Sequence, residues 1–253
     1  MNAATSGMCT GSGGPAAEEN LLLMACSGAK LAEAAFAIDL YQGVMYESFR
    51  THLNLRARPR ILILSALHGF IDPYTFIQPY EQKMTPGRAD HLIGAALDLE
   101  QWPTGIRRVF MAGGAEYRRV MLAAVQQLRA AGRVLPDALV EGTHGGIGYQ
   151  RAQLGEYLRS LPVSTHLVGE HPNGTPLYQS LDGFSVGDDV VARYRPTEQG
   201  ERAVIEELFF GPVGPTAAIV MQPEKPSRID YRRWIGLRKL FPHATSATTR
   251  IQA

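Results

Sequence analysis

The sequence predicts an α/β protein in two parts: a parallel sheet with helices on both faces, then a small antiparallel β-barrel. Three observations predict it. Apolar runs at 21–25 and 61–64, and a third at 107–112 behind two arginines, read as strands buried on both faces of a parallel sheet. Most of these runs lead through a small-residue or glycine turn into apolar spacing of helical period. Beyond residue 182 the grammar changes to short β-rich segments set between Gly and Pro turns, which suits a small barrel.

Taken in order, residues 1–19 are rich in Gly, Ala, Ser and Thr without periodicity and read as a flexible tail. The first strand, 21–25, runs into Cys26-Ser27-Gly28-Ala29-Lys30 and then a helix carrying Leu31, Ala35, Ile38, Met45 and Phe49. Either Ser27 caps that helix, or the turn and Lys30 hold an anion at the helix N-terminus. After the strand 61–64 comes a polar stretch of about twenty residues, a length that in ordered loops tends to be functional. It carries Ser65, His68, Asp72, Tyr74, Tyr80, Glu81 and Lys83 and is broken by Gly69, Pro73 and Pro79. A helix over 88–99, a strand over 107–112 and the pair Gly113-Gly114 follow. The next helix, 115–131, has Tyr117, Met121, Ala124 and Leu128 on one stripe. A fourth strand at 138–142 delivers Thr143, His144, Gly145, Gly146, Gln150 and Arg151 into a last helix through residue 158. The glycine pairs either serve tight turns or leave room for a ligand. Four such turns on one edge of a Rossmann-like sheet lie where ligands of open parallel sheets bind.

Residues 162–182 read as a linker. Beyond it, segments at 187–194, 201–210, 216–222 and 233–240 resemble an SH3-like or Tudor-like barrel, dividing the chain into an α/β domain at 20–163 and a barrel domain at 164–253. Between 225 and 250 stand Lys225, Arg228, Arg232, Arg233, Arg238, Lys239 and Arg250 against one acid, Asp230, with Tyr231 and Trp234 interleaved. That segment is either a nucleic-acid grip or a solvated basic face.

Composition excludes several classes. With 253 residues, 45% hydrophobic, the chain can bury one large core or a larger and a smaller one. The formal net charge is +1, so a polyanion must be met by a local patch. Two cysteines, Cys9 and Cys26, make no disulfide framework, and no Cys/His spacing suggests zinc. No leader pattern and no apolar run of about 18 residues appears. A cytoplasmic protein without metal, cofactor or membrane contact is expected.

The set Ala25-Cys26-Ser27-Gly28-Ala29-Lys30, Leu40-Tyr41-Gln42-Gly43, the run from Leu64 to Pro73 and Pro79-Tyr80-Glu81 resembles the DUF6884 family over roughly residues 20–160. More distantly it is similar to the peroxide-stress protein YaaA and to the uracil-glycosylase-like domain of archaeosine synthase. The resemblance implies a uracil-glycosylase-like sheet that handles nucleobases or DNA.

The function expected from that resemblance is a DNA N-glycosidase that excises a modified base and leaves an abasic site, in anti-phage defence or repair. Charge building on the sugar calls for a carboxylate, and Asp72 and Glu81 are the candidates, although Asp72 before Pro73 also suits a turn and Glu81 also suits an ion pair with Lys83 or Arg88. His68 can protonate the leaving base or be structural. The base would be extruded into a pocket. Tyr74, Phe76 and Tyr80 would stack on it or pack on the core, and His144 and Gln150 would read its edge. Cys26, Ser27, Lys30, Ser65, Gly113 and Gly114 complete the pocket. Arg118, Arg151, Arg232, Arg233, Arg238 and Lys239 would meet the backbone of a DNA partner. A DNA-binding stress protein without catalysis, and a nucleoside or nucleotide glycosidase or base-exchanging transferase, are the alternatives.

Overall fold

The computed structural model describes residues 20–193, 200–212, 214–222 and 232–242. The expected tail (1–19) and, in the basic segment, Lys225, Arg228, Tyr231 and Arg250 lie outside the described residues. The chain divides into two units, one from residues 20–53 and 57–162, the other from 54–56 and the residues after 162.

The first unit contains, in order, β1 (Asn20–Ala25), β2 (Ala35–Phe36), α1 (Ala37–Leu40), α2 (Val44–His52), β3 (Arg60–Ser65), β4 (Gly69–Ile71), β5 (Phe76–Ile77), α3 (Pro86–Gly94), β6 (Ile106–Ala112), α4 (Ala115–Ala130), β7 (Val134–Gly142) and α5 (Ile147–Ser160). Its sheet has the order β4-β3-β1-β6-β7; β1, β3, β6 and β7 are parallel, and β4 folds back antiparallel on β3. The run Leu21, Leu22, Leu23 and Met24 is fully buried because this strand is central and covered on both faces. Leu21 and Leu23, with Leu62, Leu64, Val109 and Met111, pack against α3 and α4. Leu22 and Met24, with Ile61, Ile63, Phe110 and Ala112, pack against α1, α2 and α5. From β1 the chain first adds β3 on one side and then β6 on the other. The strand order therefore reverses at the carboxyl end of β1, where open α/β sheets place a ligand crevice.

Three expectations about elements need correction. The helix read from the spacing of Leu31 to Phe49 is broken into β2, α1 and α2. Phe36 is extended and pairs with Phe76, and Gly43 has no room for a side chain beside the Ser27 hydroxyl. Lys30 therefore bridges to Tyr41 instead of opening a helix, and Ser27 caps none. Second, the polar stretch after β3 is not one loop, since it contains β4 and β5. Third, the linker at 162–182 contains strands of the second unit.

That unit comprises β8 (Leu167–Glu170), β9 (Pro176–Tyr178), β10 (Ser180–Leu181), β11 (Phe184–Ser185), β12 (Asp189–Ala192), β13 (Glu201–Gly211), β14 (Gly214–Met221), β15 (Arg232–Gly236) and β16 (Leu240–Pro242). The main sheet runs β15-β14-β13-β12-β16, antiparallel throughout. Its edge strands β15 and β16 are joined by a single 3₁₀ turn, Leu237–Lys239. Residues 236–240 reach at most about 14 Å, whereas four flat inter-strand spacings come to about 19 Å. The sheet must curl, and it does so around Val190, Ala203, Ile205, Leu208, Ala217, Ile219 and Ile235. Among the described residues no ladder joins β15 to β16, so barrel closure is not seen. No helix of the described residues is long and apolar enough to cross a membrane.

Candidate functional site

The carboxyl ends of β1 and β3 carry a knot of hydroxyls around one thiol. Cys26 follows β1, and its N–H donates to the Leu64 carbonyl at 2.9 Å, which fixes the thiol at the reversal point. Its Sγ lies 3.1 Å from the Tyr117 hydroxyl in the first turn of α4. Ser65, the last residue of β3, is fully buried. Its Oγ accepts from the N–H groups of Leu67 and His68 at 3.1 and 3.0 Å. With its lone pairs so engaged, Ser65 donates its proton to the Tyr80 hydroxyl 2.7 Å away. Tyr80 is in turn 2.8 Å from the Tyr41 hydroxyl, and the Tyr46 hydroxyl donates to the Ala25 carbonyl at 3.1 Å.

Burial pushes the hydroxyls of Tyr41, Tyr46, Tyr80 and Tyr117 above the ordinary tyrosine value, and the electrostatic influence of neighbouring Cys26 acts in the same direction on each. All four are therefore neutral phenols in ordinary buffers, able to donate or accept a hydrogen bond but poor as acids. The Tyr80 ring is held from two sides. The Lys30 ammonium stands 4.7 Å over it, and the His68 ring meets it edge-on at 5.4 Å. The turn that supplies the Ser65 donors is clamped from α3, where Arg88 donates to the carbonyls of Ala66 and Leu67 at 2.7 and 2.8 Å.

Residues 21–136 match the family described as "Family of unknown function (DUF6884)". That segment, a little under half of the chain, is what it shares with the DUF6884 family. The crystal structure of AF0587, a protein of unknown function, is similar at 15% identity with a TM-score of 0.37, over 83% of this chain and 67% of that one. No curated protein matches the chain.

Within the DUF6884 segment the structure gathers Cys26, Lys30, Ser65, His68 and Tyr80. Ser27 packs against Gly43. Glu81, next along from Tyr80, is exposed. Asp72 stands elsewhere. The hairpin from β3 to β4 turns at Gly69, which has φ +72°, and carries Asp72 back toward the start of β3. There Arg60 lies 3.4 Å from its carboxylate, and the carboxylate accepts from the Tyr74 N–H at 2.8 Å. Tyr74 is in the same place: Arg58 donates to its hydroxyl at 2.6 Å, and Phe36 meets its ring edge-on. Phe76, largely exposed, also packs on Phe36. Asp72→Asn is accordingly expected to cost about 1 kcal/mol of stability in urea denaturation and to leave any activity of the Cys26–Tyr80 cluster unchanged.

In the first unit, Gly113, Arg118, Thr143 and Gln150 meet beyond the carboxyl ends of β6 and β7. A β-carbon on Gly113 would lie 2.6 Å from that of Ala25, so β1 and β6 approach here as only glycine allows. Gly114 has open space and is the N-cap of α4. The buried Thr143 hydroxyl accepts from the Gly113 N–H at 3.2 Å and lies 3.2 Å from the Gln150 carbonyl oxygen, while Gln150 donates to Gly145 O at 2.9 Å. Arg118 folds inward to donate to Gly113 O, away from a backbone-binding pose. His144 pairs with Gln153 at 2.9 Å and Arg151 is exposed; in the second unit, Arg232 is held by Glu206 and Glu207 at 3.2 and 2.7 Å. Arg233, Arg238 and Lys239 of that unit are exposed. Among the described residues no group of three or more His, Cys, Asp or Glu is placed to hold a metal.

The sequence reading assigned none of Tyr41, Tyr46, Tyr117 and Thr143 to the site, although Tyr41 stood in a family motif and Thr143 in the turn after the fourth strand. Tyr117 appeared there only as part of a helix stripe, yet its position three residues after Gly114 places it in the helix turn nearest the sheet edge. That was the available signal.

Proposed function

We propose that the carboxyl edge of the first unit binds a nucleobase and cleaves its glycosidic bond, acting as a DNA N-glycosidase on a modified base in defence or repair. The observation that carries this reading is the convergence of Cys26, Tyr117, Tyr80, Tyr41 and Ser65 at the strand-order reversal. A row of neutral phenols beside a lysine suits a heteroaromatic ring with donors and acceptors on its rim and a phosphate attached nearby. In this scheme the C1′–N bond breaks, and a water oriented by Glu81 bonds through its oxygen to C1′ and yields a proton to the Glu81 carboxylate. His68 passes a proton to the departing nitrogen, while the Tyr80 hydroxyl donates a hydrogen bond to the base. Glu81 also stabilises the positive charge that grows on the sugar. Asp72, held by Arg60, takes no part. Lys30 meets the flanking phosphate.

The sequence resemblance to uracil-glycosylase-like proteins adds support to reading the sheet in those terms. In the second unit, the 3₁₀ turn joining two edge strands supports an SH3-like barrel, with Lys239 on its exposed surface and Arg232 engaged by carboxylates. That engagement favours a weak, sequence-independent grip.

The test incubates the purified chain with DNA carrying plain or modified bases and reads abasic sites by alkaline strand cleavage. Cleavage of at least one modified DNA is expected, with Glu81→Gln lowering its rate by about 10²-fold. Salt-sensitive binding without cleavage on every DNA would leave a DNA-binding protein only, and release of base from free nucleotides alone would make it a nucleoside or nucleotide glycosidase.

A further inference from the structure

An open cleft of about 270 Å³ lies along β6, β7 and α5 and shares no lining residue with the Cys26–Tyr80 cluster. Its floor is the side chain of Phe110 stacked on Tyr157, rings 4.4 Å apart and nearly parallel. Arg108 is fixed above that floor: its guanidinium lies 4.8 Å over the Tyr157 ring, Nε donates to Glu141 Oε2 at 2.8 Å, and Nη1 donates to Ser160 at 2.9 Å. Among the described residues its Nη2 has no partner, nor has Glu141 Oε1, nor the carboxylate of Glu156. Tyr157 itself is buried, its hydroxyl enclosed without a hydrogen-bond partner, so it presents its ring rather than its oxygen to the hollow.

A preorganised cationic fork and an unpaired carboxylate thus line the same hollow. A simple anion would gain Arg108 but meet Glu141 and Glu156. A simple cation would gain the carboxylates but meet the guanidinium. A molecule bearing both charges satisfies each wall, since opposite charges are matched and like charges kept apart. The volume lies just under the ~300–1,000 Å³ of pockets for drug-sized ligands, so the molecule is smaller than those. We infer that this cleft binds a small zwitterion of the amino-acid type. Its carboxylate lies on Arg108, its ammonium on Glu156 and Glu141, and its side chain on the Phe110–Tyr157 stack. This reading does not depend on the glycosidase proposal.

The experiment titrates the full chain by calorimetry with each of the twenty common L-amino acids. For any that binds, it adds the corresponding amine without the carboxylate and the corresponding acid without the amine. At least one amino acid is expected to saturate the protein, with both half-ligands about tenfold weaker or worse. Glu156→Gln, on the exposed side of α5, is expected to weaken that binding about tenfold with an unchanged melting temperature. Arg108→Gln should abolish it, and circular dichroism tells that loss from unfolding. The inference is overturned if no amino acid binds at about 10 mM, if the amine alone binds as tightly, or if Glu156→Gln binds like the native chain.

Discussion

Gly113→Val is expected to lower the free energy of unfolding by about 3 kcal/mol, at the upper end for overpacked sites. An added β-carbon would sit 2.6 Å from the β-carbon of Ala25 and 3.3 Å from that of Tyr117. Neither neighbour is the far end of a flexible chain. Ala25 is anchored in the central strand β1 by pairing to β3, so relief must come from moving β6 or α4. Any such shift carries Tyr117 away from the Cys26 thiol, and activity should fall with stability. Gly114→Ser is the control, because no atom lies within 4 Å of its new β-carbon and serine is a good N-cap. Urea denaturation of the two variants beside the native chain checks this; equal midpoints for Gly113→Val and the native protein would show that the strands do not need that close approach.

Tyr80→Phe is expected to cut base release by about 10²–10³-fold, the scale of a lost donor at a reacting centre, and stability by about 1–2 kcal/mol. Removing one oxygen strips a partner from both Ser65 and Tyr41, each fully buried, so neither can turn to bulk water. The ring stays, and with it the contacts to Lys30 and His68. The loss would therefore report the hydroxyl rather than the packing. Tyr74→Phe offers the contrast: its hydroxyl answers to Arg58 at the far end of β3 and should leave the rate unchanged. A single-turnover assay of Tyr80→Phe at the native rate would remove the hydroxyl chain from the reaction.

The legible part of this molecule was the part that local patterning dictates. Strands β1, β3 and β6 are buried on both faces, so their sequences are almost uninterrupted apolar runs, and α4 carries a clean stripe. The α/β class and the polar carboxyl edge followed from these. What stayed hidden depends on pairings between distant residues. The spacing of Ala35 and Ile38 suits a helix, but Phe36 is taken by Phe76 forty positions later. Asp72 and Glu81 look like neighbours in the chain, yet the turn at Gly69 sends Asp72 back along β3, while Tyr80, next to the exposed Glu81, returns to Ser65 at the sheet edge. Tyr41 and Tyr80 meet across 39 residues, and Cys26 and Tyr117 across 91. Nothing in a local window marks such partners.

The outer strand β7 has a further consequence. Among the described residues β4 and β7 are the two edges of this sheet, and an unpaired edge is a template on which another chain can polymerise. Between the positions that pair with Ile106 and Arg108, β7 bulges through Leu135, Pro136, Asp137 and Ala138. Proline offers no amide there, and the aspartate would carry charge into any fibril. Along that stretch the rim is thus a poor template for recruiting a further strand.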